Sequence, residues 1–134
     1  MKKIVDTSVW IEYFKNQGAV AAAIDKDLLA GSIYMVGPVI SELLQGADTE
    51  KDFRSLKSSI GGVPFIETNL SDWKLAGEIS FKLRKRGITI PITDCLIAAI
   101  AFNHDAMVMT LDRHFRHIPG LKLIDTGIKS NKLR

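Results

Sequence analysis

Four carboxylates stand where an α/β chain gathers its chemistry: Asp6, Glu42, Asp94 and Asp112. Asp6 follows the short apolar run Lys3-Ile-Val, and Asp112 follows Ala106-Met-Val-Met-Thr110. Asp94 opens the segment Cys95 to Phe102, which is apolar on every helical face and therefore reads as a helix packed inside the domain. Glu42 lies just inside the helix that follows Ser32-Ile-Tyr-Met-Val36. Taken singly, each acid has an ordinary explanation, because Asp and Glu near a helix start satisfy free N–H groups and the helix dipole. Gathered at one end of a sheet they would repel one another, and such a group needs protons or hard cations at neutral pH. Oxygen donors suit Mg²⁺ or Mn²⁺, whereas zinc prefers histidine and cysteine at spacings that His104, His114 and His117 do not supply. Carboxylate-held cations are a common apparatus for phosphodiester hydrolysis, since they lower the pKa of water and steady charge on phosphate oxygens. Ser41 and Cys95 have no adjacent histidine and no nucleophile-elbow glycines, which argues against a covalent route. His114, two residues beyond Asp112, is a further candidate to orient a ligand or substrate.

The elements that must position these acids alternate between strand and helix. A first strand ends at Asp6, and Asp6-Thr-Ser8 offers cap chemistry for a helix carrying Val9, Trp10, Ile11, Tyr13 and Phe14. An alanine-rich helix spans Ala19 to Ala30, and Ser32 to Val36 is the second strand. Pro38 sits in the first turn of the next helix, which Gly46 closes. Asp48 to Ile60 reads as a polar helix, and Val63 to Glu67 as a third strand that Pro64 confines to an edge. Asn69 or Ser71 caps a long helix burying Leu75, Ala76, Ile79 and Leu83. The Asp94 helix, the strand ending at Thr110, a short helix over Leu111 to Ile118 and a strand Lys122 to Ile124 complete the chain, with a basic tail at Lys129 to Arg134. This order implies a parallel sheet between two helical layers, a three-layer α/β/α sandwich, whose ligands bind at the strands' carboxyl ends.

Its 134 residues predict one domain, large enough to bury roughly two thirds of the unfolded surface. No run approaches the ~18 apolar residues of a membrane span, and an acid at position six precedes any secretory core, so a cytoplasmic protein is expected. Lone Cys95 excludes an internal disulfide and reads as a small buried hydrophobe. The net charge of +3 is a mild bias toward polyanions, sharpened if the acids are pooled in one pocket. Lys82, Arg84, Lys85 and Arg86 either complement a helix dipole or follow a nucleic-acid backbone. Trp10 and Trp73, among apolar helical residues, are expected in core or interface.

Four ordered segments carry a resemblance to a known family. Asp6-Thr-Ser8-Val-Trp-Ile, Ser41-Glu42-Leu-Leu-x-Gly46, Thr93-Asp94-Cys-Leu-Ile-Ala-Ala99 and Thr110-Leu-Asp112-Arg-His114-Phe115 resemble the successive motifs of PIN-domain ribonucleases, and in particular the VapC toxins of toxin–antitoxin pairs. The resemblance implies a magnesium-dependent endoribonuclease with Asp6, Glu42, Asp94 and Asp112 as metal-binding acids and Ser8 and Thr110 as supporting hydroxyls. It also implies an RNA substrate, a homodimer and inhibition by a cognate antitoxin. Many members carry a further acid or Asn just behind the last aspartate; Arg113 to Ile118 contains none.

Two other classes compete. A phospho-receiver domain also gathers acids at strand ends, but it predicts a lysine where this chain offers Arg113. A non-catalytic scaffold of the same fold, binding RNA or a protein partner, is expected to have lost one or more of the four acids.

Overall fold

The computed structural model describes residues 1–15, 18–124 and 126. The basic segment 129–134 lies outside them. Along the chain run β1 (Lys3–Val5), α1 (Thr7–Phe14), α2 (Gly18–Leu29), β2 (Ile33–Val36), α3 (Gly37–Gln45), α4 (Glu50–Gly61), β3 (Phe65–Ile66), α5 (Leu70–Lys85), α6 (Ile92–Asn103), β4 (Met107–Met109), a 3-10 helix (Arg113–His117) and β5 (Leu123–Ile124). The strands form one sheet in the order β3-β2-β1-β4-β5, with every neighbouring pair parallel. Helices cover it, as the alternating pattern requires.

β1 is the centre of the sheet because Ile4 and Val5 are apolar on both faces and almost wholly buried. From β1 the chain moves to β2 on one side and later to β4 on the other, so the gap between the carboxyl ends of β1 and β4 is the switch point where such sheets form a crevice. Register then decides which side chains meet there. Val5 is paired with Met109, so the residues just beyond, Asp6 and Thr110, emerge side by side.

α6 is the buried helix, with every residue from Asp94 to Ala101 buried. It packs most extensively on α5, whose first turn carries a capping box: Asn69 accepts from the Asp72 N–H, and the Asp72 carboxylate accepts from the Asn69 N–H. Ala76 and Leu83 form the most buried part of its inner face, with Leu75 and Ile79 half-buried beside them. Trp10 is core, 2% exposed, and stacks on Phe14. Trp73 is not, at 56% exposed: one position beyond the capping box it projects outward, away from the stripe that Ala76 and Leu83 define.

Two local expectations are corrected. Val63 to Glu67 pairs only at Phe65–Ile66, because it is an edge segment led by a proline that can donate no ladder bond. Leu111 to Ile118 is not a helix throughout but a 3-10 turn over Arg113–His117, started when the Asp112 side chain accepts from the His114 N–H.

Candidate metal and active site

Asp6 is the N-cap residue of α1 by position, yet its side chain makes no cap bond. Instead Oδ2 accepts from Ser8 Oγ at 2.9 Å and from Thr110 Oγ1 at 2.8 Å. Both hydroxyls are themselves fixed, since the Leu111 N–H donates to Ser8 Oγ at 3.0 Å and the Asp112 N–H to Thr110 Oγ1 at 2.9 Å. The turn after β4 is thus laced to the end of β1, which holds Asp6 and Asp112 close without a cation between them. Capping does not account for Asp6.

Asp94 arrives from the first turn of α6, and it too makes no cap bond, the N-cap position being Pro91. Asp6, Asp94 and Asp112 are 2%, 6% and 7% exposed. Burial is the main cause that raises the Asp94 carboxyl to about 6, the charges of Asp6 and then Asp112 add to the push, and His114 opposes it. His114 Nδ1 lies 3.1 Å from both Asp94 Oδ2 and Asp112 Oδ1. It pairs with two of the three aspartates, and no other side chain able to carry positive charge pairs with any of them among the described residues.

Glu42 stands apart. It is half-buried on α3, and its Oε1 accepts from Thr7 Oγ1 at 2.8 Å. Glu42 borders two grooves. One of about 370 Å³ runs toward Thr93 and Ile92 and is walled by Trp73; the other, of about 490 Å³, runs between α1, α3 and α4 past Phe14, Leu43 and Leu56. Thr7 and His114 are the residues whose roles the sequence undersells. The signal for Thr7 was its place between Asp6 and Ser8; that for His114 was only its nearness to Asp112.

The donor set fits a divalent cation. One atom each from Asp94, Asp112 and His114 lies within 4.8 Å of the others, and the Asp6 carboxylate borders the same space. The set is mixed and not oxygen-only, because the turn after Asp112 carries the His114 imidazole inward. Cys95, next to Asp94 on α6, is buried and its thiol is pushed up by that burial and by the Asp94 charge, so it is an inert packing residue as expected.

The sequence model of the PIN domain matches residues 3–121. Ribonuclease VapC11 of Mycobacterium tuberculosis is 35% identical over 117 residues, spanning 84% of this chain and 87% of that protein. The chain belongs to the PIN-domain family, among its VapC members. A VapC ribonuclease of Rickettsia bellii is 27% identical over 137 residues, covering 96% of this PIN domain and 99% of the relative. Among solved structures, the DNA-bound VapBC of Salmonella typhimurium superposes with a TM-score of 0.83 at 21% identity over 94% of this chain and 98% of its own. VapBC-1 of Haemophilus influenzae does so with a TM-score of 0.80 at 24% identity over 96% and 100%. At those identities the likeness is one of fold.

Proposed function

We propose that this PIN domain is a metal-dependent endoribonuclease and the toxin of a toxin–antitoxin pair. The observation that carries the reading is the convergence of Asp6, Asp94 and Asp112, three buried carboxylates of which two share one imidazole and none has a lysine or arginine among the described residues. The VapC relatives bear ribonuclease in their names, and the retained acids weigh against a non-catalytic scaffold. A receiver domain is disfavoured by the same family membership.

Asp94, Asp112 and His114 would hold a cation, with Asp6 beside it and Glu42 at the rim; Mg²⁺ and Mn²⁺ fit the carboxylates, and the imidazole nitrogen favours Mn²⁺ over Mg²⁺. When bound, it supplies Lewis acidity at a phosphodiester oxygen and brings the pKa of water toward neutrality. The chain's own work is positional. Ser8 and Thr110 fix the Asp6 carboxylate by donating to its Oδ2. Burial and the neighbouring Asp6 and Asp112 charges raise the Asp94 carboxyl to about 6, a penalty that a bound cation would relieve. Attack of water on phosphorus with departure of the 3′ oxygen leaves 5′-phosphate and 3′-hydroxyl ends.

The antitoxin is expected to lay apolar residues along the groove between α1, α3 and α4, which leads to Glu42, and to bring a basic side chain to the acids. Exposed Leu70, Trp73 and Ile92 are apolar surface of the kind a homodimer covers. No helix among the described residues is long and apolar enough to cross a membrane, and we place the activity in the cytoplasm, where RNA and antitoxin both are. The test is cleavage of end-labelled single-stranded RNA with Mg²⁺ or Mn²⁺ and with EDTA. Metal-dependent products ending in 5′-phosphate support the reading; cleavage that survives EDTA, or 2′,3′-cyclic ends, would overturn it.

A further inference from the structure

The acid cluster creates a problem for its own substrate. Three buried carboxylates repel a polyanion, so the attraction that holds an RNA must be supplied by cations elsewhere on the surface. α5 ends in Lys82, Arg84 and Lys85, with Arg86 as its C-cap residue. A helix dipole explains cations in its own last turn. It does not explain Arg113 and Arg116, which are exposed on the separate 3-10 helix. Among the described residues Arg86, Arg113 and Arg116 form no ion pair, and Lys82 has one contact, 3.8 Å to the exposed Glu78.

Packing joins these cations to the site. Lys82 and Arg86 line a cleft of about 260 Å³ together with Ile118 and Pro119. Ile118 is the C-cap of the 3-10 helix, and Asp112 is its N-cap. Asp112 and the Ile118 edge of this cleft are therefore separated by one short helix, about 12 Å at the ~2 Å rise of a 3-10 turn, and Arg113 and Arg116 lie along it. Two exposed rings flank the path. Phe81 is 57% exposed with Lys85 Nζ 5.2 Å from its centroid, and Phe102 lines the cleft itself. Cations interleaved with open aromatic faces suit the phosphates and unpaired bases of a single strand.

We infer that single-stranded RNA leaves the acid cluster over the 3-10 helix and is held along a path of Arg113, Arg116, Lys82 and Arg86, with Phe102 or Phe81 receiving a base. The inference rests on the ribonuclease reading. The cleft itself is mostly apolar, with Leu75, Ile79, Leu83, Ile118 and Pro119 beside Lys82, Arg86 and the acid Glu78; what favours a polyanion over a protein partner is the line of exposed arginines, Arg113 and Arg116, that joins this cleft to the acids.

The test uses Asp94→Asn, which keeps RNA intact, and measures affinity for a long unstructured RNA by fluorescence anisotropy across a salt series. Lys82→Gln/Arg86→Gln and Arg113→Gln/Arg116→Gln are added to it separately, and Lys51→Gln/Lys57→Gln on α4 is the matched control. Each path pair is expected to weaken binding about tenfold and to flatten the slope of log K against log salt by ~0.7 per lost phosphate contact. For an RNA too short to reach from Asp112 past the far end of the 3-10 helix, the Lys82→Gln/Arg86→Gln loss should vanish. Equal losses for path and control pairs, or an equal loss on the shortest RNA, would overturn the path. The parent protein is assayed alongside for metal-dependent cleavage of the same RNA: cleavage with unchanged binding by the path variants sinks the path alone, whereas no cleavage sinks the ribonuclease reading first.

Discussion

Asp94 and Asp72 are both buried aspartates on helices that pack against each other, and their surroundings are opposite in kind. Asp72 is 0% exposed, yet each of its oxygens has a donor: Asn103 Nδ2 reaches Oδ1 at 2.7 Å and the Asn69 N–H reaches Oδ2 at 3.0 Å. His104 Nε2 stands 4.0 Å from Oδ2. That carboxylate is satisfied locally and ties the first turn of α5 to the last turn of α6. Asp94 faces two other carboxylates and a single imidazole, and its carboxyl is pushed up to about 6. Burial alone therefore does not mark a functional acid. What marks it is a penalty the fold leaves uncompensated, which a ligand can then relieve.

The largest effect that would separate the two is on activity. Asp94→Asn should lower metal-dependent RNA cleavage roughly 100-fold or more with the fold intact, the loss expected for a principal electrostatic group. Asp72→Asn should leave kcat near that of the parent; equal losses would erase the distinction. Next is stability. Asp72→Ala removes the capping-box acceptor and the bond from the Asn103 amide, which should cost about 1–2 kcal/mol in urea denaturation.

The same measurement should give the opposite sign at Asp94. Its folded pKa of about 6 lies above the ordinary unfolded value of 3.8, so its contribution is fully present below the unfolded value and is lost as pH rises through the folded one. Metal-free protein should thus lose on the order of 2 kcal/mol from this group between pH ~4 and ~7, and Asp94→Asn should be the more stable protein at neutral pH in EDTA. A parent and variant with parallel pH profiles would contradict that. The smallest expected effect is at Ser8→Ala, about 1 kcal/mol, because the Leu111 N–H loses its acceptor and Asp6 one of two hydroxyl donors. Unchanged stability there would mean the lacing of β1 to the turn after β4 is not what holds Asp6 and Asp112 together.

Much of this was legible from residue order. Period and turn chemistry located every helix, and the all-apolar Cys95 to Phe102 segment identified α6 as the buried one. The parallel topology followed from alternation, and with it the meeting of Asp6 and Asp112. The missing parts depend on geometry that local pattern does not encode. His114 enters the site because a 3-10 turn, not an α-helix, follows Asp112, and Glu42 turns to Thr7 because α3 places it at the rim. The Asp72–Asn103 bond joins residues 31 apart on two helices, and nothing in either helix announces the other. Trp73 shares the apolar character of its neighbours, but its angular position relative to the buried stripe puts it outside.

The central claim is that the acids at the ends of β1 and β4 form a cation site and that buried charge elsewhere does not. It is tested most directly by thermal melting against Mn²⁺ for the parent, Asp94→Asn and Asp72→Asn. A ligand that binds only the native state raises Tm as its concentration passes Kd. Tm should rise for the parent and for Asp72→Asn, each from its own baseline, and stay flat for Asp94→Asn. A flat response for the parent, or the same rise in all three proteins, would contradict it.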